Sequence, residues 1–295
     1  MLDLSHIPNS QQDIQIFNAI SGSNSWQTWQ KPRKCNYVWI MCIGGAGGGG
    51  AGASANNGCA APGASGGVSR ALYNAQQLSD VLYVQVGLGG RGGIPGSTIG
   101  ASGTRSWVSL LPAVVSQNLI QGSGGNVAAG GNIASSTFAG ETVITQTTAN
   151  FLTLSNFVST AGVTTTQVSS VPVNINPLTS QITCAGAAGG GFSSVPTIVS
   201  ASAILATTYS PLIPSGSSTG VSGSNGTDGG NGFTSWKPFF STGGAGGGAA
   251  VSGSGGRGGN GGIGSGGGGG GAGATTAQGG SGGKGGDGLV VIISF

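Results

Sequence analysis

Gly255-Gly256-Arg257-Gly258-Gly259-Asn260-Gly261-Gly262-Ile263 and, further on, Gly279-Gly280-Ser281-Gly282-Gly283-Lys284-Gly285-Gly286-Asp287 repeat with a strict period of three. One position in each triplet carries a side chain and two carry none. An extended helix of the polyproline II type has three residues per turn and rises about 3.1 Å per residue. A period of three therefore sets every side chain along one edge and leaves two edges bare. Neighbouring helices can then approach until N–H and C=O groups bond between them. Proline-rich helices lack the donor for this; glycine helices have it. Burial without such bonds would orphan backbone groups at about 1–3 kcal/mol each. Glycine also loses the most conformational freedom on folding. A lone glycine helix does not persist, so a bundle needs an apolar core to bracket it.

Strands supply that core. Tyr37-Val38-Trp39-Ile40-Met41-Cys42-Ile43 is rich in β-formers and apolar on both faces, which reads as a buried strand. It runs into the Gly/Ala tract 44–53. Val81-Leu82-Tyr83-Val84-Gln85-Val86 runs into the glycines of 87–93. Leu289-Val290-Val291-Ile292-Ile293-Ser294-Phe295 leaves the last tract, 243–288, in which 27 of 46 residues are glycine. The fold class expected is mainly β with packed polyglycine II helices. No α-helix is expected beyond one short N-terminal one, where Ile14, Phe17 and Ile20 have approximate helical spacing; an extended arm is the alternative there.

Composition bears on the competing readings. Glycine makes up 65 of 295 residues, against a usual share of about 7%. Hydrophobic residues are 37% and charged residues only 5%, the reverse of the balance in disordered chains. Collagen needs glycine at every third position over a long run with much proline. Here the period breaks at Ala272 to Gln278, and 243–288 holds no proline. A flexible linker uses serine and keeps no phase. Residues 104–240 are Ser-, Thr- and Val-rich, with short strands expected at Val163–Val168 and Val171–Ile175. The division expected is an N-terminal arm over 1–25 and a glycine-rich domain over 26–295, with a β-rich insertion at about 104–240.

Motifs of chemistry are weak. Gly45-Ala46-Gly47-Gly48-Gly49-Gly50 matches GxGxxG after a strand, but lacks the following helix and the acid about 20 residues on. Around Lys284 the P-loop pattern fails, with Gly285 in place of Ser or Thr and Gln278 in place of the first glycine. The single histidine, His6, reads as an exposed residue of the arm. The carboxylates show no paired spacing. No catalytic residue, cofactor site or metal site is expected. Cys35, Cys42, Cys59 and Cys184 fit no zinc spacing and read as small buried thiols. Lys31, Arg33 and Lys34 are the only basic cluster, too short for a nucleic-acid stripe. They read as a solvated turn. Asn225-Gly226-Thr227 reads as a turn. For binding, exposed aromatics are the better candidates: Phe233, Trp236, Phe239 and Phe240 around Lys237 and Pro238, then Trp107 beside Arg105, then Arg91. For the four aromatics themselves the preferred reading is a small local core that anchors the bundle.

An ordered set of elements resembles the glycine-rich domain of phage tail-fibre and adhesin proteins, of the polyglycine II bundle type. The elements are Trp29-Gln30-Lys31-Pro32, the strand into glycine from Val38 to Gly50, Val86-Gly87-Leu88-Gly89-Gly90-Arg91-Gly92-Gly93, and Gly285-Gly286-Asp287-Gly288-Leu289-Val290-Val291-Ile292 with Phe295 last. The resemblance covers 26–295 outside the central insertion. It implies packed polyglycine helices displayed on a virion, with loops that touch a receptor.

The expectation is a structural virion protein that displays loops for host attachment on a scaffold that includes Gly255, Gly258, Gly261, Gly282 and Gly285. Residues 1–25 would attach it. Its partners would be other virion proteins, copies of itself and a host glycan or outer-membrane protein, with no nucleic acid and no membrane insertion. With no signal-like start and no long apolar run, assembly in the host cytoplasm fits. A purely architectural decoration or filament is the alternative, with an ice-binding protein behind it. An enzyme is not expected.

Overall fold

The computed structural model describes residues 13–21, 23–53, 60–95, 99–113, 118–125, 137–138, 158–160, 165–166, 173–175, 182–194, 197–206, 209–219, 224–273 and 277–295. The strands in chain order are β1 (Asp13–Asn18), β2 (Trp26–Gln30), β3 (Tyr37–Ile43), β4 (Val68–Asn74), β5 (Val81–Gln85), β6 (Ser106–Ser109), β7 (Asn118–Gly122), β8 (Thr137–Phe138) and β9 (Val158–Thr160). They continue with β10 (Thr165–Thr166), β11 (Val173–Ile175), β12 (Gly191–Ser194), β13 (Thr197–Val199), β14 (Ile204–Ala206), β15 (Tyr209–Ile213), β16 (Thr234–Trp236), β17 (Phe239–Ser241) and β18 (Leu289–Ser294). Among the described residues there is no α-helix; a 3-10 turn spans Ala75–Gln77. The fold is mainly β, as its runs of β-formers predict.

Two antiparallel sheets form one end of the molecule. One has the order β1-β18-β3-β4-β9 and the other β2-β5-β6-β7. Alternation splits the side chains of β3. Val38, Ile40 and Cys42 join Trp29, Tyr73, Leu82, Ile120 and Ile292 in the larger apolar cluster, which holds buried residues of both sheets. Met41 and Ile43 join Val291, Ile293 and Ile182 in another cluster. The strand is apolar on both faces because both are covered. The Tyr73 hydroxyl donates to the Leu119 carbonyl at 3.0 Å, which ties β4 to β7 inside the first cluster.

Residues 13–18 are not helical. They form β1, in continuous antiparallel register with β18 from Asp13–Ser294 to Asn18–Leu289. Phe17 is buried in the larger cluster. Period-two burial against a strong partner outweighs a three-residue helical spacing, so this part of the expected arm belongs to the sheet.

Beyond the sheets the chain leaves the ladders but stays hydrogen-bonded. Along 44–53 the partner changes with a period of three. Gly44, Gly47 and Gly50 donate to Gly67, Ala64 and Ala61; Gly45 and Gly48 donate to Thr104 and Ala101; Ala46, Gly49 and Gly52 donate to Gly286, Gly283 and Gly280. The carbonyls of Gly45, Ala46 and Gly47 accept from Gly125, Gly90 and Gly267. The segment is thus ringed by neighbours on all sides. The 264–273 segment is ringed likewise: it donates to 182–190, 44–53 and 253–263 and accepts from 242–250, 60–67 and 277–288.

These two rings define a lattice in three layers. The first holds 224–233, 253–263, 277–288 and 86–93. The second holds 214–219, 242–250, 264–273, 44–53 and 99–105. The third holds 182–190, 60–67 and 122–125. At the crossings there is no room for a side chain: a Cβ built on Gly268 would overlap the Ala245 carbonyl, and one on Gly49 the Gly268 carbonyl. Gly264, at φ 63°, turns the chain from 253–263 into 264–273.

The region 104–240, expected as an insertion, has described parts in both bodies of the fold. Strands β6 and β7 lie in the second sheet, and 182–190, 214–219 and 224–233 are lattice segments. Of the two short strands expected at 163–175, residues 165–166 and 173–175 are strands, and the rest lie outside the described residues.

Candidate functional site

The outer surface of the first lattice layer is built by the triplets. Segments 224–233, 253–263 and 277–288 run parallel: Gly226, Gly229 and Gly232 donate to Ser254, Arg257 and Asn260, and Gly255, Gly258 and Gly261 donate to Gln278, Ser281 and Lys284. Parallel register brings the non-glycine residues level across the layer. Asn225, Asp228, Asn231, Ser254, Arg257, Asn260, Gln278 and Lys284 are all exposed.

At this surface the lattice runs out of neighbours, and side chains replace them. Asn225 Oδ1 accepts the Ser254 N–H at 2.9 Å, Asp228 Oδ1 the Arg257 N–H at 2.7 Å, and Asn231 Oδ1 the Asn260 N–H at 2.8 Å. Thr234 Oγ1 accepts the Ile263 N–H at 3.0 Å. One segment over, Asn260 Oδ1 accepts the Lys284 N–H at 2.8 Å. Asp287 Oδ1 accepts the Gly89 N–H at 2.7 Å and the Lys284 ammonium at 2.9 Å. Each outward amide so covered exchanges a bond to water for one to the protein, a net gain of about 0.5–1.5 kcal/mol. We call these side chains latches.

Sequence reading did not single out the latches. Asn225–Thr227 is part of a lattice segment, not a free turn. The signal was present: short acceptors stand at 225, 228, 231 and 234, with the period of the triplets.

The expected aromatics fall together at one end of this layer. The β16–β17 hairpin carries Trp236 and Phe239, whose ring centroids are 5.4 Å apart. Phe233 and Phe240 meet edge to face at 5.7 Å. Phe239 packs on the Met41/Ile43 cluster, while Trp236 is 52% exposed and Phe233 39%. The group is both anchor and surface. Trp107 is placed elsewhere: it lies in β6 at 7% exposure, with the Arg105 guanidinium 5.9 Å from its ring. It has little surface to offer a partner. Arg91 is exposed on the first layer. Gly255, Gly258, Gly261, Gly282 and Gly285 all donate within the lattice.

The GxGxxG stretch is lattice interior. Every amide from Gly45 to Gly50 donates to a neighbouring segment, so none is aimed at a phosphate. Of the described cysteines, Cys42 and Cys184 are buried thiols and Cys35 is partly buried. Burial pushes Cys184 up to about 12, against the pull of the Gly243 N–H, which its Sγ accepts at 2.7 Å. Burial raises Cys42 and Tyr73 as well.

The opposite end of the sheets, away from the lattice, holds the basic turn. Lys31 is not free: it donates to the carbonyls of Leu78 at 2.9 Å and Ala75 at 3.2 Å, and pairs with Asp80 at 2.9 Å. Arg33 and Lys34 are exposed, beside a cleft of about 430 Å³. Phe295 is at this end too, its carbonyl accepting from Asn36 and Tyr37, and so is Asp13, opposite Ser294. Among the described residues no helix is long and apolar enough to cross a membrane, and no group of His, Cys, Asp or Glu could hold a metal ion.

A family model described as a glycine-rich domain matches residues 21–294. No curated protein matches the chain.

Proposed function

We propose, on the premise that this chain belongs to the family of glycine-rich domains, that it is a structural virion subunit of the fibre or adhesin kind. In this reading the lattice segments are polyglycine II helices that form a stiff body. The sheet end, with Asp13, Phe295 and the basic turn, faces the rest of the particle. The lattice projects outward, and its surface meets the host. The role is structural and adhesive rather than catalytic.

One observation carries this reading. Inside the lattice the backbone groups bond one another, and the first layer turns a flat array of side chains outward, with Trp236 and Phe233 at its end. Such a body spends its sequence on rigidity and on one contact surface.

The test has two arms. Antibody against the purified chain, with gold labelling, should decorate virions of the phage that encodes it at a fixed place. Labelled protein should bind host cells and saturate. Decoration without cell binding would favour a purely architectural role. Failure to decorate any particle would reject the virion reading.

A further inference from the structure

The latches fix which way each exposed carboxamide points. Of the two polar atoms of a carboxamide only the oxygen can accept a backbone N–H, so Asn231 and Asn260, with Oδ1 on the neighbouring segment, hold their NH₂ groups away from it. Asp287 is occupied by the Gly89 N–H and the Lys284 ammonium. The Arg257 Nε–H donates to Ser281 at 3.1 Å, while the rest of its guanidinium faces outward from an exposed residue. Arg91 is exposed on the same layer. The surface thus presents amide NH₂ groups and the guanidiniums of Arg91 and Arg257 as donors, with the Lys284 ammonium beside Asp287 and the exposed Asp228 as its one carboxylate not paired with a lysine.

We infer that this face binds an acidic polysaccharide laid flat across the first layer. Donors of this kind match carboxylate or sulfate oxygens and sugar hydroxyls. Each segment repeats its side chain about every 9 Å, comparable to the length of a disaccharide, so a regular polymer meets equivalent groups in successive rows. Trp236, just past the last latch at Thr234, offers an apolar ring face for a sugar. The cations are separated by neutral residues and Asp228, which argues against a nucleic acid, whose backbone calls for a dense basic stripe. The inference rests on the attachment reading and names its ligand class.

The test uses the full chain on surfaces of alginate (carboxylated), dextran sulfate and neutral dextran at low salt. Binding to one or both acidic polymers and not to dextran is expected; which of the two binds names the anion. The Asn231→Asp/Asn260→Asp variant keeps the inward oxygens and replaces the outward donors with carboxylate oxygen. It should melt like the parent and bind at least tenfold more weakly. Arg91→Ser/Arg257→Ser/Lys284→Ser should weaken binding as much, and Arg33→Ser/Lys34→Ser should not. The inference is overturned if neither acidic polymer binds, if the Asp variant binds like the parent, or if only the Arg33/Lys34 change matters. If host cells are still bound by an Asp variant that has lost the polysaccharide, the inference stands and attachment has a second contact. If host cells are bound while no polysaccharide ever is, attachment stands and this inference falls.

Discussion

Asn231 Oδ1 accepts the backbone N–H of Asn260 at 2.8 Å, from a segment 29 residues away. Asn225, Asp228 and Thr234 make the same contact at the same separation. A side chain here does the work of a missing segment at the margin of a lattice. Asn231→Ala and Asp228→Ala should each cost roughly 0.5–1.5 kcal/mol, while Asn231→Asp, which keeps the acceptor, should cost less than either. Thermal melts of the three variants, followed by circular dichroism, check this.

Gly268 donates to Gly259, accepts from Gly283 and faces the Ala245 carbonyl. A methyl group there has backbone on its path and no flexible side chain to push aside. Gly268→Ala should lose at least about 3 kcal/mol, combining overpacking with broken amide bonds. Gln278→Ala, at an exposed position just ahead of the second triplet run, should stay within about 0.5 kcal/mol of the parent. Paired denaturant titrations of the two variants decide it.

Phe17 sits in the larger core cluster although it precedes the first residue matched by the family model. Phe17→Ala should cost about 3–5 kcal/mol, whereas Ile14→Ala, on an exposed position of the same strand, should cost far less. Equal, small effects would show β1 to be dispensable.

Cys184 has its thiol raised from 9.0 to about 12 by burial. In the unfolded chain it ionises near 9.0, and in the fold only near 12. The stability it contributes is therefore complete below pH 9 and is lost as pH climbs toward 12. Cys42 and Tyr73, raised by burial as well, act in the same sense. The melting temperature should fall above pH 9, and less steeply in Cys184→Ala. In a thiol-labelling time course at pH 8, partly buried Cys35 should react before Cys42 and Cys184.

The strands were legible because their signal is local. Tyr37–Ile43, Val81–Gln85 and Leu289–Ser294 are dense runs of β-formers that meet glycine at one end, and they pair as strands. The triplets at 255–263 and 279–287 also declared their side-chain edge, since that needs only a period. The partners did not show. Which carbonyl Gly47 meets depends on how remote segments stack, and one glycine run looks like another. The helix considered over 14–20 failed for a related reason: its competitor, β18, lies at the far end of the sequence. Among site residues, Arg91 was legible as exposed, while neither the exposure of Trp236 nor the burial of Trp107 was, because both are set by the tertiary fold. The latches went unread because Asn, Asp and Thr next to glycine signal turns just as readily.

The strand between β1 and β3 is β18, and the ringed 264–273 segment bonds to 44–53 and 60–67. A nascent chain that has emerged only through residue 263 lacks both the strand that joins β1 to β3 and one of its two lattice centres. Native pairing must then wait until residues 264–294 have been made, and until then glycine-rich and apolar segments stand unpartnered. Contacts this distant in sequence close slowly. Production should be governed by how long those segments stand unpartnered, so a holding chaperone should raise yield more than any added stability.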